Sequence, residues 1–249
     1  MNKIILITFL ISITLTVLSQ ENKEIPDLKK QAYQAYLLNS IGLWEEVVVN
    51  FSKRIESSPD DIDLLFQLTE AQYGLLNTCL ANKDKDTFEK YIKKADENVE
   101  SLLENNETWS AAHALKSGLY SIKMGFFPMK GMIYGQKNAV HIQKALKHDD
   151  EEPLAWIQDA GSKFFTPPMF GGNTKEAISS YQTAVGLFEK NKENLTYNWQ
   201  YLNTLAWLGI ALQKENRIEE AIDVFEKSLR FESNFAWVKY HLLPSAKEN

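Results

Sequence analysis

Residues 202–233 read LNTLAWLGIALQKENRIEEAIDVFEKSLRFES, and the spacing within them decides the fold. Leu205, Leu208, Gly209 and Leu212 recur at three- and four-residue steps, which places them on one face of a first helix. Ala221, Phe225 and Ser228 do the same on a second. Gly209 and Ala221 are small where two packed helices cross closely, while Leu205, Leu212 and Phe225 fill the spaces beside them. A helix pair of this kind buries its apolar face only against neighbours, so the stretch predicts further units of the same design.

The same frame fits upstream. Ile157, Ala160, Gly161 and Phe164 take the first-helix places, and Ala177, Tyr181 and Ala184 the second-helix places. From Phe164 to Ala177 is thirteen steps, against nine from Leu212 to Ala221, so four residues are inserted in the turn between those helices. Gly42, Trp44, Val47, Phe51 and Pro59 match the second half of an earlier unit. Residues 61–80 and 86–105 read as another amphipathic pair, with the turn at residues 82–85; residues 107–126 and 135–153 read as a third. The spacing therefore predicts an all-α chain of about five helix pairs, closed by a short capping helix around residues 235–243, with no stretch alternating at period two.

The residues of 202–233 resemble the tetratricopeptide repeat, whose pattern is W-x2-L-G-x2-Y followed by A-x3-F in about 34 residues. The resemblance extends over most of residues 28–235 and implies a right-handed α-solenoid. The chain as a whole is similar to a group of secreted bacterial tetratricopeptide proteins that share a P-x-M/F-F-G-G loop followed by an Asn-Trp-x-Tyr-Leu helix start. Here these are Pro167 to Gly172 and Asn198, Trp199, Tyr201 and Leu202. A fainter likeness is to the periplasmic tetratricopeptide component of tripartite solute transporters. These resemblances imply a partner-binding scaffold or a solute-binding accessory.

The first residues bear on location. After Met1-Asn2-Lys3 the chain runs from Ile4 to Leu18 without a charge, too short to span a bilayer comfortably. A lone Lys, a short apolar centre, and Val17 and Ser19 before Gln20 describe a signal peptide over residues 1–19, with an uncleaved anchor as the alternative. The expected mature chain is residues 20–249, a periplasmic or secreted bacterial protein without stable membrane insertion. Removing residues 1–19 takes one Lys from the 27 basic residues and none of the 33 acidic, leaving a net charge of −7. That mildly acidic balance argues against nucleic acid, whose phosphates demand clustered Lys and Arg. Lone Cys79 falls within a helical pattern and reads as a small buried apolar residue.

No constellation of catalytic groups emerges. His141 and His148 lie seven apart on one helix, but neither belongs to an HExxH motif nor has a ligand at matching spacing. The run HDDEEP at residues 148–153 reads as a solvated helix junction, its carboxylates favouring a helix N-terminus. There is no nucleophile elbow, phosphate loop or dinucleotide fingerprint. The expectation is no enzyme, no metal and no cofactor.

Aromatic residues are the remaining signal. In a tetratricopeptide stack the first helices line the concave surface, and Trp109, Trp156, Trp199, Trp207 and Trp237 fall on such helices. Trp207 is expected to project into the groove with Asn203 and Ile210, beside Asp159 and Ser162 of the preceding unit, a surface suited to a peptide partner. The inserted turn FFTPPMFGG adds a second feature. Pro167 stops the helix before it, Gly171 and Gly172 let the chain turn back, and Asn173 caps the next helix. Between them Pro168, Met169 and Phe170 either seal the edge or offer a contact. Residues 125–135, GFFPMKGMIYG, read as a second expanded link, with Pro128 and Gly135 framing Tyr134. Links within successive pairs emerge on the same edge, so these two are expected to pack together. Partner binding, enclosure of a small ligand, and self-assembly through the loops are the three classes the sequence leaves open.

Overall fold

The computed structural model describes residues 27–248; the signal-peptide expectation for residues 1–19 lies outside them. Ten helices form five antiparallel pairs in chain order. They are α1 (residues 27–37) with α2 (Ile41–Ser57), α3 (Ile62–Asn82) with α4 (Lys85–Asn105), α5 (Ser110–Phe126) with α6 (Gly131–His148), α7 (Pro153–Phe165) with α8 (Thr174–Glu189), and α9 (Trp199–Lys214) with α10 (Ile218–Phe231). A π-helical turn, Val238–Leu242, runs into the closing helix α11 (Leu243–Lys247). There is no strand among the described residues. The protein is an all-α solenoid with a C-terminal cap.

Local sequence sets the boundaries. Ser40, Asp61, Asp84 and Asn198 each accept a backbone N–H from the first turn of the helix they precede, satisfying donors that the helix itself leaves unpaired. Within the first, second and fifth pairs, one residue turns left-handed between the helices: Asn39 (φ 46°), Lys83 (φ 58°) and Asn216 (φ 58°). Gly209 sits where α9 and α10 cross. A Cβ there would fall 2.2 Å from the Phe225 ring, so only glycine allows that spacing. Cys79 is fully buried, and burial pushes its thiol up to about 12, as befits an apolar packing residue.

The third and fourth pairs turn differently. In the third, Pro128–Lys130 form a 3-10 turn that feeds straight into α6 at Gly131. The expected link over residues 125–135 is thus only residues 127–130, and Tyr134 and Gly135 are helical. Gly131 has ordinary helical angles and opens α6, so only Gly135 stands inside the helix. In the fourth, α7 ends at Phe165 and a second 3-10 turn, Pro168–Phe170, precedes Gly171 at φ 94°.

The inner face closes on itself. The first helices of non-adjacent pairs are bridged by side chains: Gln158 of α7 donates to the Tyr73 hydroxyl of α3 at 2.9 Å, and Gln200 of α9 donates to Glu70 of α3 at 2.7 Å. The two ends also meet. Tyr36 of α1 lies against Trp199 and Phe235, Trp44 of α2 packs edge-on to Trp199, and the Tyr33 hydroxyl donates to Glu232. Trp199 is only 7% exposed. These contacts form a seam between the first and last pairs, and one core runs through both.

Candidate functional site

The corner between α7 and α8 is rigidly built. Gly172 N–H donates to the Pro167 carbonyl and Asn173 N–H to the Lys163 carbonyl. A Cβ on Gly172 would lie 1.7 Å from the Thr166 carbonyl oxygen, so no other residue fits there. The Asn173 side chain accepts from the Lys175 and Glu176 N–H groups and donates to the Glu176 carboxylate, which locks the start of α8. On this fixed frame Pro167 and Pro168 are exposed, Met169 is 83% exposed and Phe170 is 73% exposed. They form an outward surface rather than a plug.

The corner between α5 and α6 presents similar chemistry. Met129, Met132 and Ile133 stand in solvent. Phe126 and Phe127 turn the other way, stacking on Phe88 of α4, and Tyr134 lies over Tyr120 of α5. The expected packing of the two links on each other is therefore corrected. The first link anchors through its phenylalanines and leaves Met129 and Met132 exposed, and the second leaves Met169 and Phe170 exposed. Both are intra-pair links of successive units.

Beside the second corner, Phe164 and Phe165 meet Trp207 edge-on, and Trp207 meets Trp237 at 5.8 Å. Trp207 is half-buried within this aromatic cluster, while Phe165 is largely exposed. Ile210 is half-buried against the core and Ser162 is half-buried. Asn203 and Asp159 do not face an open groove. Asn203 accepts from the Tyr36 hydroxyl across the seam, and Asp159 accepts from Ser180 and pairs with Lys163 at 2.8 Å. Asn203 is engaged because α1 folds against α9, a contact 167 residues apart that local spacing does not reveal, and Asp159 is engaged within its own helix pair.

Three of the four histidines come together, which sequence spacing alone did not show. The Nδ1 atoms of His113 and His141 are 2.9 Å apart, His113 Nε2 faces the Glu107 carbonyl, and His148 stacks on His113. The Nε2 proton of His113 goes to that carbonyl, so its Nδ1 accepts from His141. Burial holds His141 down at about 4 and His113 below its usual value. The three rings pack on one another, and no three His, Cys, Asp or Glu side chains among the described residues are arranged to hold one metal ion.

A second concave region lies at the seam. A cavity of about 100 Å³ opens between α1, α2, α3 and the turn before α9, walled by Phe51, Tyr197 and Trp199 and floored by Gln67 and Glu70. Glu70 is raised above the usual carboxylate range, chiefly by burial and against the opposing hydrogen bond from Gln200. Glu152, the residue capping α7, is pushed by burial up to about 7 and also feels Glu70.

Residues 202–235 match the family model described as tetratricopeptide repeat. The architecture is a tetratricopeptide-type solenoid. Two solved structures share it. The HusA haemophore from Porphyromonas gingivalis superposes with a TM-score of 0.62 at 16% identity, over 76% of this chain and 92% of that one. TTC0263, a thermophilic TPR protein from Thermus thermophilus, gives a TM-score of 0.58 at 16% identity, over 90% of this chain and 98% of that one. No curated protein matches the chain. At such identities the likeness concerns the fold alone. No helix of the described residues is long and apolar enough to cross a membrane.

Proposed function

We propose that this solenoid is a non-catalytic scaffold, exported to the periplasm or secreted, that holds a protein or peptide partner on the edge formed by the α5–α6 and α7–α8 corners. The observation that carries the reading is the exposure of Met169 and Phe170 on a corner fixed by Gly172 and Asn173. Stable monomers rarely leave a contiguous apolar patch in water without use. Methionine adapts its shape to a partner, and a phenylalanine already held in place loses little freedom on contact. The partner would present an apolar face, either an amphipathic helix or an extended segment, with Phe165 and Trp207 as a second anchor beside the loop. Self-association through the same edge is the variant in which the partner is another copy of the chain.

The experiment is affinity capture from the native envelope with wild type and with a Met169→Ser, Phe170→Ser double variant. Loss of the captured partner at unchanged melting temperature supports the reading. Retention of the partner by the variant overturns it.

The likeness to a haemophore favours a second reading, a carrier of a flat apolar ligand such as haem. The seam cavity holds about 100 Å³, below the roughly 300–1,000 Å³ of pockets that enclose drug-sized ligands, and the larger space of about 530 Å³ between α2 and α4 is an open groove lined mostly by polar and charged residues such as Glu45, Glu46, Lys53 and Lys90. Such a ligand would lie on the Phe165, Trp207 and Phe170 surface. Titration with haemin distinguishes the two readings: a saturable Soret shift abolished by Phe165→Ser favours the carrier, and no shift favours the scaffold.

A further inference from the structure

We propose that the seam cavity is a binding site for a primary ammonium group, carried by a small aliphatic amine. The proposal does not depend on the edge described above, since the cavity is lined from α1, α2, α3 and the turn into α9.

The polar groups of the cavity are mismatched in one direction. Gln67 Oε1 is shielded from solvent and accepts no hydrogen bond among the described residues. Glu70 accepts one bond, from Gln200 at 2.7 Å, whereas a carboxylate offers about four acceptor positions. Asn198 already directs its Oδ1 to the Tyr201 N–H. Lys29 also lines the cavity; its side chain is exposed, and its charge opposes the upward shift of Glu70 without a hydrogen bond to it. Gln67 Oε1 is thus a buried acceptor with no partner among the described residues, beside a carboxylate with acceptor positions to spare, and leaving a buried acceptor unpaired costs stability.

The walls narrow the chemistry further. Trp199, Tyr197 and Phe51 line the same space, and aromatic ring faces attract a cation; the Lys30 ammonium already lies 5.8 Å from the Tyr197 ring centroid. A carboxylate, an amide oxygen and aromatic walls together match an alkylammonium ion: three N–H donors for the acceptors and a short carbon chain for the rings. Burial raises Glu70, and the neighbouring Glu152 carboxylate adds negative potential, so a cation there relieves an electrostatic cost already present. A bare alkali or alkaline-earth ion fits less well, because hard cations take about six or more oxygen ligands, more than the Glu70 carboxylate and Gln67 Oε1 supply. The volume of about 100 Å³ admits an amine of a few carbons. Because the cavity joins the first pair to the last, an occupant would brace the seam.

The test is titration of the folded chain at pH 8 with n-propylammonium chloride, followed by calorimetry and thermal melting. Potassium chloride at equal ionic strength and tetramethylammonium chloride serve as controls. The expected result is saturable binding with a dissociation constant of about 1 mM or tighter, in line with the ceiling for so small a ligand, and a melting temperature that rises with ligand concentration. Glu70→Gln, which keeps the shape and an oxygen for Gln200, should weaken binding at least tenfold, and Gln67→Met should weaken it as well. Absence of saturable binding, equal binding by the Glu70→Gln and Gln67→Met variants, or equal binding of tetramethylammonium, which has no N–H donor, would overturn the proposal.

Discussion

The seam and the edge are both rich in aromatic and apolar side chains, yet they do opposite things with them. At the seam, Trp44, Trp199, Tyr36 and Phe235 come from segments far apart in sequence and pack on one another. At the edge, Met169 and Phe170 come from one four-residue expansion of a turn and face solvent. Composition does not separate the two regions. The difference is that the seam residues sit on helix faces already committed to packing, whereas the edge residues sit on a Pro-Gly corner whose backbone bonds fix it without needing their side chains. Apolar groups that the fold does not need are the ones available to a partner.

The comparison breaks first at Trp199. Replacing it with Ala should cost about 3–5 kcal/mol, because a buried ring that touches three other rings leaves a cavity that cannot fully collapse; urea denaturation measures it. A loss under about 1 kcal/mol would mean that the two ends of the solenoid do not depend on each other. Gly172→Ala tests whether the corner is as rigid as the seam. Its Cβ must displace the Thr166 carbonyl, and the expected cost is about 2 kcal/mol, accompanied by weaker partner capture.

Charge inside the solenoid gives a third test. Burial raises Glu152 to about 7 from 4.5, so the folded protein binds a proton more readily than the unfolded chain. Stability from this residue is full below pH 4.5 and is lost as pH rises through about 7. Glu152→Gln should therefore raise stability by about 1–2 kcal/mol at pH 8, with no gain at pH 4.5. The His113–His141 pair acts in the opposite sense: its depressed titration weakens the fold as pH falls from 6.5 towards 4. Measuring the difference between wild type and variant at each pH isolates Glu152. The smallest effect is expected at the edge, where Phe170→Ser should change stability by less than about 0.5 kcal/mol at any pH. A large loss there would show that the ring is structural and would erase the contrast with the seam.

Sequence alone was sufficient for the repeat itself. Gly209, Ala221 and Phe225 define a helix crossing by size, and size is a local property; the five pairs, the cap and the corner at Gly171 and Gly172 follow from breakers and spacing. It was sufficient as well to mark Met169 and Phe170 as unusual. Whether they were covered depended on the curvature of the whole stack, which sums small rotations that no single unit encodes. The same summation brings α1 against α9, takes Asn203 out of the expected groove by giving it Tyr36, and gathers Gln67, Glu70 and Trp199 around one cavity. Those residues have no shared motif because they are neighbours only once the solenoid has closed. Periodicity determines that each pair forms, since its hydrogen bonds and apolar face are local; the tertiary structure decides which faces are left over.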